Sequence, residues 1–562
     1  VKNGASYQLT FSSYGQYQSE TVEAYLYDVA DPGTHISNIA SVSSGNNSWT
    51  RQTMTLTATA NAANAGVLLF INHDGSAGAG SGTRTVFIDE VRLSQSSAIP
   101  SVKSSVTSTI TSLGIKSVRW PGGTLIDFFN WKDSVGPLHA RGEEQASASF
   151  QTPSFGLHEF LDYCESIGVT PVLQVNFLKG ASDASDLVEY VLGNSSTTQG
   201  AIRAANGRSR PWNATIFEVG NEPTMSYKGS GPVDHAALAY ATAAKPVIAS
   251  IKAKAAALGV PVKVSGIIEP TFQLAEWLSY FASDPDPAYA IDRMLYNWNM
   301  EALGQSGIGA VDFLDGHFYG YRKYDPSMTE AQAFPYVMGN GALLAQTLAD
   351  KISPLSSAPV WITEFNIYPE EDTTHVVHTE RMMDFQSGLA IGDIINSMIT
   401  YGIEGAQMWN LAQPWFGMMQ NPDSGDLRPA GIVFSLFSPM AGEEKIRVSI
   451  DLTEKVTVGT GSGSMPTGLS YPLISAIATK NAITGKARII LINRSYADSK
   501  SVRLTFDSPI SGNANVLLYN NSSLSANNET AHNVAITQST TNIPDPFVVT
   551  LAPHSITRID MQ

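Results

Sequence analysis

Seven short apolar stretches recur between residues 116 and 412, and helical patterns alternate with them along the chain. Such alternation is typical of parallel β/α units, in which a crossover helix leads from one strand to the next. Seven is close to the eight strands of a (β/α)8 TIM barrel, so we predict this barrel for residues 100–438. The stretches are residues 116–120, 170–176, 215–219, 262–268, 313–319, 359–366 and 405–412.

The strand count predicts a gap in that barrel. If residues 116–120 form its second strand, the first strand lies upstream of Val1. A barrel with only seven strands leaves two unpaired edges of buried strands, which is costly. We therefore expect residues 116–120 not to pair directly with residues 405–412, and a strand from upstream residues to lie between them.

Short alternating runs separated by Gly, Asn and Ser turns predict β-sandwiches at residues 1–95 and 439–562, with a linker at 96–100. Residues 49–51 and 86–93 resemble the closing half of a carbohydrate-binding-module jelly roll whose opening strands are missing. A sugar-binding module and a sandwich that only packs on its neighbour remain equally open. The predicted fold class is multidomain α/β plus all-β: a TIM barrel flanked by an N-terminal jelly-roll-like β-sandwich and a C-terminal β-sandwich.

Charge and hydropathy exclude several classes of partner. The net charge is −16 and no Lys/Arg-rich run occurs, which argues against nucleic acid and anionic membrane surfaces. No apolar run approaches the roughly 20 residues of a membrane span. A neutral polysaccharide or oligosaccharide is compatible with this charge.

Cysteine content and sequons bear on the compartment. The single cysteine, Cys164, excludes an intrachain disulfide and a cysteine-based metal cluster, and its helical setting predicts a small buried side chain. The chain has no signal peptide and no initiator Met, and we interpret it as processed or incomplete. Sequons favour a secreted, extracellular protein with possible N-linked glycans. They lie at Asn46, Asn194, Asn213, Asn493, Asn520, Asn521 and Asn528.

Two of the apolar stretches run into a glutamate with an asparagine close by. Residues 215–219 lead into Gly-Asn-Glu-Pro, with Asn221 and Glu222, and residues 359–366 contain Glu364. TIM-barrel enzymes keep their chemistry at the C-terminal ends of the strands. A retaining glycosidase needs two carboxyl groups there, roughly 5–5.5 Å apart. A single strand-end glutamate is usually a solvated loop residue, but the paired occurrence favours Glu222 as general acid/base and Glu364 as nucleophile.

Other polar residues point to no cofactor. His317 has no HExxH or paired carboxylate spacing around it, so we interpret it as a hydrogen-bonding wall residue rather than a metal ligand. The Gly-rich residues 459–463 lack a following Lys-Ser/Thr and are a loop rather than a phosphate site. We therefore predict neither a metal nor an organic cofactor.

Several motifs in this order resemble glycoside hydrolase family 51, whose members are mainly α-L-arabinofuranosidases with some endo-glucanases. The similarity runs from about residue 95 to the C-terminus. The motifs lie at residues 118–123, 130–137, 155–160, 203–207, 220–222 and 410–413.

This resemblance implies roles for individual residues. Glu222 matches the family's acid/base, Glu364 its nucleophile, and Asn221 the amide that grips the sugar 2-hydroxyl. A hydrogen bond to Glu364 from an arginine or tyrosine is expected to keep it ionised, and a dry setting to raise the pKa of Glu222. The predicted substrate-contacting residues are Arg119, Asn221, His317, Tyr319, Tyr368, Trp409 and Gln413.

Departures from the family pattern leave the sugar open. Tyr368 stands where the family usually has Trp, Pro223 where Met is common, and Thr124 where Asn is usual. The first hypothesis is a retaining glycoside hydrolase of plant cell-wall polysaccharide, an α-L-arabinofuranosidase. The second is an endo-β-1,4-glycanase of the same fold with aromatic platforms such as Trp131, Trp415 or Tyr321. The third is a non-catalytic carbohydrate-binding protein.

Overall fold

The structure is a computed structural model. It describes all residues except 17–19, 46, 74–84, 96–101, 137–140, 142–143, 147–148, 152–154, 224–235, 269–302, 304–306, 323–326, 370–375, 460–467, 508–511, 544–545 and 562. The predicted linker 96–100 lies outside the described residues.

The N-terminal region is a sandwich of two antiparallel sheets. One sheet has the order β5-β1-β7, and in the other β2 pairs with β3 and β4 along one edge and with β6 along the opposite edge. Alternate residues of β1 and β2, such as Leu9 and Leu26, fill a core of their own between the sheets. The strands are β1 Ser6–Gly15, β2 Glu20–Asp28, β3 Asp31–His35, β4 Ala40–Ser43, β5 Thr50–Thr57, β6 Ala65–His73 and β7 Val86–Gln95.

A parallel barrel sheet follows, in the order β16-β15-β14-β13-β12-β11-β8. Its strands are β8 Ser117–Trp120, β11 Thr170–Val175, β12 Ile216–Val219, β13 Lys263–Ile267, β14 Phe313–Arg322, β15 Val360–Pro369 and β16 Gly405–Met408, with a small hairpin of β9 Glu144–Ala146 and β10 Ser149–Gln151. The helices are α1 Ser104–Ser112, α2 Leu157–Ile167, α3 Gly180–Leu192, α4 Thr198–Ala205, α5 Ala236–Ala257, α6 Glu330–Val337, α7 Asn340–Thr347, α8 Phe385–Tyr401 and α9 Pro429–Phe437. Short 3-10 or π turns lie at Gly123–Asp127, Trp131–Ser134, Phe177–Lys179, Leu348–Ile352, Thr379–Met382 and Ser438–Met440.

The two end strands of this sheet come close without pairing. Among the described residues no backbone ladder joins β8 to β16, and Gln407 Nε2 donates a hydrogen bond of 3.2 Å to Ser117 Oγ across the gap. The prediction that these strands do not pair directly is confirmed. Residues 104–112 form α1 rather than an additional strand. The described barrel is therefore a nearly closed, TIM-like sheet of seven parallel strands.

The C-terminal region is again all-β. Its main sheet has the order β17-β20-β21-β26-β23-β24, beside the pairs β18-β19 and β22-β25. Residues of β20, β21 and β26, including Ile490 and Ile556, share one hydrophobic core with helices α6 to α9 of the barrel. The strands are β17 Glu444–Ile446, β18 Lys455–Thr457, β19 Ser470–Pro472, β20 Ile474–Lys480, β21 Ala487–Asn493, β22 Lys500–Leu504, β23 Asn513–Tyr519, β24 Ile536–Asn542, β25 Phe547–Leu551 and β26 Ser555–Met561.

Burial tests two of the sequence predictions. Cys164 is fully buried on α2, as predicted, and burial raises the pKa of its thiol to about 12. The sequons Asn493 and Asn528 are buried, and both side-chain amides donate hydrogen bonds to backbone carbonyls. A glycan on either of them is incompatible with this fold, so that part of the prediction is wrong. In the described part of the chain no helix is long and apolar enough to cross a membrane.

A buried ion pair connects the barrel to the C-terminal sandwich. Asp393 on α8 accepts a hydrogen bond of 2.7 Å from Arg494 Nε, directly after β21, and another of 3.1 Å from the Gly341 backbone N–H. Burial raises the pKa of Asp393, against the lowering effect of Arg494. The ion pair therefore compensates a charge that burial disfavours.

We expect Arg494→Ala to lower the free energy of unfolding by about 3–5 kcal/mol, because it leaves the carboxyl group of Asp393 buried without its cation. Urea unfolding followed by fluorescence measures this loss. Arg503→Ala, on the exposed side of β22, is the matched control and should stay within about 0.5 kcal/mol of the wild type. Equal unfolding midpoints for the two variants would contradict a stabilising role of the ion pair.

Candidate active site

Side-chain alternation along the strands fills the barrel interior in layers. The inward residues Val172, Ile216, Phe313 and Trp361 form an apolar cluster, with the rings of Phe313 and Trp361 stacked at 4.4 Å. Two residues further along each strand the inward side chains are polar, because inward positions recur with period two. This polar layer contains Arg119, Gln174, Glu218, Ser265, Asp315 and Thr363, and the candidate active site lies above it.

A sharp change of backbone direction places Glu222. Strand β12 ends at Val219, and Gly220 follows with a φ of 95°, where a Cβ would lie 3.0 Å from the ring of Phe177. Glu222 itself has a φ of 38°, which is uncommon for a residue with a side chain. The Gly-Asn-Glu-Pro sequence therefore turns the carboxyl group of Glu222 at the strand end, as predicted.

Glu364 lies at a β-bulge and not at a strand end. The register between β14 and β15 shifts between Gly316 and His317, and β15 continues to Pro369. The prediction of a strand that stops near Glu364 is therefore wrong. A bulge re-aims side chains locally, and it brings Glu364 opposite His317 in the ladder.

Arg119 is the central cation of the site. It is buried, and its Nε donates to both carboxylate oxygens of Glu218, at 2.9 and 2.8 Å. Its Nη1 donates to Glu364 Oε1 at 2.5 Å, and its Nη2 donates to Asn221 Oδ1 at 2.7 Å. Burial opposes the charge of Arg119, but Glu218 and Glu364 outweigh it and raise its pKa. One guanidinium thus orients the candidate nucleophile and the candidate sugar-binding amide.

Tyr319 and His317 complete the surroundings of the two glutamates. Tyr319 Oη donates to Glu364 Oε2 at 2.6 Å. His317 Nδ1 lies 2.9 Å from Glu222 Oε1 and 3.6 Å from Glu364 Oε2. A carboxylate oxygen of Glu222, a ring nitrogen of His317 and a carboxylate oxygen of Glu364 all lie within 4.8 Å of one another. The two carboxyl groups are therefore close enough to act on one atom.

The charges of this group shift its protonation. Burial lowers the pKa of His317, but Glu364 and Glu222 outweigh burial and raise it to about 9. Burial raises the pKa of Glu222, but the hydrogen bond and charge of His317 outweigh it, and the net shift is downward. The expectation of a raised pKa for Glu222 is therefore wrong in the free protein. His317 holds the proton of this pair.

The sequence patterns did not identify three polar residues of the barrel interior. Glu218 is fully buried, Gln174 Nε2 donates to Glu218 Oε1 at 3.1 Å and to Asn221 Oδ1 at 3.2 Å, and Asp315 accepts a hydrogen bond from Thr363. Burial and then the charge of Glu218 raise the pKa of Asp315 to about 8. A charged residue inside a buried apolar stretch was the signal that could have identified Glu218 and Asp315.

The remaining predicted residues lie around this centre. The ring of Trp409 lies against Gly122 and Gly123, and its backbone N–H donates to Phe365 O. Tyr368 and Tyr319 both contact the ring of Phe416, at 6.2 and 5.8 Å between centroids. The exposed Gln413 bonds through its backbone to Asn410 Oδ1.

The predicted aromatic platforms differ in their exposure to solvent. Trp131 is buried against Tyr190, and its Nε1 donates to Asp183, so it is no sugar platform and that prediction is wrong. Trp415 is 53% exposed, and the side chain of Tyr321 lies outside the described part of the protein.

In the described part of the chain, two groups have the composition of a cation site: Glu218 with Asp315 and His317, and Glu222 with His317 and Glu364. In both, Arg119 already donates to a carboxylate of the group. Protein cations therefore balance the charge that a metal ion would otherwise neutralise, and the absence of a metal stays a prediction.

Comparison with known proteins gives a consistent result. The sequence profile described as "Alpha-L-arabinofuranosidase 1 domain" matches residues 109–270. The Alpha-L-arabinofuranosidase A of Aspergillus kawachii is 27% identical over 247 residues. That match covers 40% of this chain and 39% of the relative, so the alignment spans well under half the length of either.

Solved structures share the fold, and two of them illustrate the similarity. The arabinose complex of the Thermotoga maritima α-L-arabinofuranosidase has a TM-score of 0.63 at 21% identity, covering 82% of this chain and 91% of that chain. The arabinose-bound MgGH51 α-L-arabinofuranosidase has a TM-score of 0.70 at 15% identity, covering 100% of this chain and 83% of that chain. In fold over its whole length, and in sequence over the first half of its barrel, this chain is similar to the family 51 α-L-arabinofuranosidases.

Proposed function

We propose that the protein is a retaining glycoside hydrolase that releases α-L-arabinofuranose from plant cell-wall polysaccharide by double displacement. The observation that carries this proposal is the approach of the Glu222 and Glu364 carboxylate oxygens within 4.8 Å. Retaining enzymes hold their carboxyl groups roughly 5–5.5 Å apart, whereas inverting enzymes leave roughly 6.5–9.5 Å for a water molecule. The sugar is proposed from the similarity to arabinofuranosidases.

In the first step Glu364 attacks the anomeric carbon and the bond to the leaving oxygen breaks. That oxygen takes the proton that Glu222 and His317 share, and a glycosyl–Glu364 ester forms. Arg119 and Tyr319 each donate to one oxygen of Glu364, which fixes the orientation of its carboxyl group before the attack. Asn221, fixed by Arg119 and Gln174, is placed to hold a sugar hydroxyl.

In the second step Glu222 acts as base. It removes a proton from a water molecule, the water oxygen bonds to the anomeric carbon, and the ester bond to Glu364 breaks. The proton returns to the Glu222–His317 pair, and Glu364 regains its negative charge. Among the described residues His317 Nε2 has no hydrogen-bond partner, so it is available to a substrate hydroxyl.

The predicted aromatic platforms bear on the choice between exo and endo action. An endo-β-1,4-glycanase requires exposed aromatic platforms along an open cleft; Trp131 is buried in the barrel wall, whereas Trp415 is 53% exposed. We propose exo action from the similarity to arabinofuranosidases. A panel of aryl arabinofuranoside, xyloside, glucoside and cellobioside substrates tests the choice, and activity on the cellobioside alone would favour the endo-glycanase. Inactivity on all of them would leave the carbohydrate-binding protein.

We further propose a secreted, extracellular protein, glycosylated at exposed sequons such as Asn194 and Asn213, whose N-terminal sandwich is a carbohydrate-binding module. The fungal arabinofuranosidase relative and a polysaccharide substrate outside the cell support this proposal. Expression in a glycosylating host followed by glycan mapping of the culture medium tests it.

The two glutamate variants should fail at different steps. With an aryl arabinofuranoside whose leaving group needs no proton, Glu364→Ala should be inert, because no ester can form. Glu222→Ala should still form the glycosyl–enzyme and accumulate it, because deglycosylation then lacks its base. Rapid-quench intact-mass measurement detects the ester. Glu404→Ala, an exposed carboxylate paired with Lys263, is the control and should keep wild-type rates. Ester accumulation in Glu364→Ala would overturn the assignment.

The pH dependence of kcat/KM should report the pKa of the proton that Glu222 and His317 share. Because His317 keeps its proton up to a pKa of about 9 in the field of Glu222 and Glu364, kcat/KM should fall only as the pH rises through about 9. In His317→Gln the proton must reside on Glu222 alone. The basic limb should then move to lower pH by about one unit or more.

The control for this profile is His532→Gln, an exposed histidine of the C-terminal region, which should leave both limbs in place. A basic limb that stays near pH 9 in His317→Gln would show that His317 does not carry the proton. The pH–rate profile of kcat/KM is the suitable measurement, because it reports the pKa values of the free enzyme.

A further inference from the structure

The outer face of the second N-terminal sheet is unusually aromatic. On β2 the inward residues Val22, Ala24 and Leu26 are fully buried in the sandwich core. The residues between them face the opposite side of the sheet, where a soluble sandwich normally presents polar groups. Here that side carries Tyr25 and Tyr27.

Neighbouring strands extend this aromatic face. Leu68 and Phe70 of β6 lie opposite Tyr25 and Glu23 in the ladder, and His35 of β3 lies opposite Tyr27. The ring centroids of Tyr25 and His35 lie 3.8 Å apart with the rings tilted by 30°, and Tyr25 meets Phe70 edge-on at 6.0 Å. We call Tyr25, Tyr27, His35, Leu68 and Phe70 the aromatic face.

Tyr27 lies flat against the sheet. A Cβ at Gly66, its partner in the ladder, would come within 2.4 Å of the Tyr27 ring. The missing side chain of Gly66 is therefore what lets the ring approach the strand so closely, and the Tyr27 side chain is half-buried. A partly exposed aromatic ring held against a strand is a surface on which the apolar side of a sugar can stack.

Polar groups are fixed beside these rings. Asn72 Nδ2 donates to Glu23 Oε1 at 2.8 Å, and Thr21 Oγ1 donates to Asn72 O at 3.4 Å. These three residues share the outer face with Tyr25 and Tyr27, since they occupy the same alternation of β2 and β6. A carboxylate and an amide held in place offer the acceptors and donors that sugar hydroxyls need.

The charge of the aromatic face limits which classes of ligand can bind there. Strands β2, β3, β4 and β6 contain neither Lys nor Arg, and Glu23 gives the outer face a negative charge, whereas Glu20 is buried on the inward side. A surface without cations does not attract phosphate-bearing ligands or anionic lipid. A second copy of the chain would bring two Glu23 carboxylates together. A neutral polysaccharide pays no such electrostatic cost.

We propose that the aromatic face binds the backbone of a neutral plant cell-wall polysaccharide, with Tyr27 and Tyr25 as stacking platforms and Glu23 and Asn72 as hydrogen-bonding groups. This names the site of the carbohydrate-binding module and rests on the proposed function for the class of polysaccharide. The face belongs to the sandwich sheet that lies away from the barrel. On the other sheet, burial lowers the pKa of Arg51, and the charges of Arg141 and Glu159 of the barrel region act on it.

The test is depletion of the full-length protein from solution by insoluble xylan, with insoluble cellulose as a second probe. Excess arabinose occupies the candidate active site, so that binding there does not contribute. Tyr27→Ala and Tyr25→Ala should each weaken binding about tenfold, because each removes one stacking ring. Tyr27→Phe should bind like the wild type. All three variants should hydrolyse an aryl arabinofuranoside at the wild-type rate, so this assay separates loss of binding from failure of the proposed activity.

Phe87→Ala is the matched control, since Phe87 is an exposed aromatic residue on the outer face of the other sheet, edge-on to Tyr14. It should leave binding unchanged. The proposal is overturned if the wild type binds neither polymer. It is also overturned if Tyr27→Ala and Tyr25→Ala both bind as strongly as the wild type. A dimer in sedimentation velocity that Tyr27→Ala converts to a monomer would assign the face to a second copy instead. If one of the two Ala variants lowers the melting temperature, the binding measured for the other variant decides the test.

Discussion

One buried guanidinium organises the interior of the barrel. Arg119 bonds to Glu218, Glu364 and Asn221 at once, and two of these partners, Glu364 and Asn221, have roles in the proposed chemistry. Removing ions from water costs several kcal/mol per ion unless they are paired and hydrogen-bonded. The barrel meets this cost with a complete network, in which Gln174 also donates to Glu218 and Asn221. Displacing Arg119 from this network would leave the buried carboxylate of Glu218 without its cation.

The same network limits how many charges the interior can hold. Arg119 and the protonated His317 face three carboxylates, Glu218, Glu222 and Glu364, so one negative charge is already in excess. A fourth would be unbalanced, and burial together with the charge of Glu218 keeps the proton on Asp315, whose pKa rises to about 8. The excess charge makes the Glu222–His317 pair retain a proton at neutral pH, although burial alone would remove it from His317. The acid of the proposed reaction is thus a property of the pair rather than of Glu222.

The local sequence was enough to identify Glu222, whereas it did not identify Glu218 and Asp315. Glu222 follows an apolar stretch and precedes Pro223, and this local pattern alone places it at the rim. Glu218 and Asp315 lie within such stretches, and a stretch interpreted only as buried does not separate the inward face from the outward face. Trp131 failed for a different reason: its partner Asp183 lies 52 positions away, and nothing in its immediate sequence distinguishes a core indole from a surface platform. The bulge that re-aims Glu364 depends on pairing with β14, which is equally non-local.

A buried arginine links the C-terminal sandwich to the candidate active site. Arg428 is buried, pairs with Glu529 of the sandwich at 2.8 Å, and donates to Gln413 O at 3.0 Å. The loop between β16 and α9, which carries Gln413, Trp415 and Phe416, is therefore anchored on a domain outside the barrel. Because that sandwich shares its hydrophobic core with helices α6 to α9, its packing and the position of this loop are coupled. The N-terminal sandwich has a separate core, which is why its aromatic face can change without disturbing the barrel, while the C-terminal sandwich cannot.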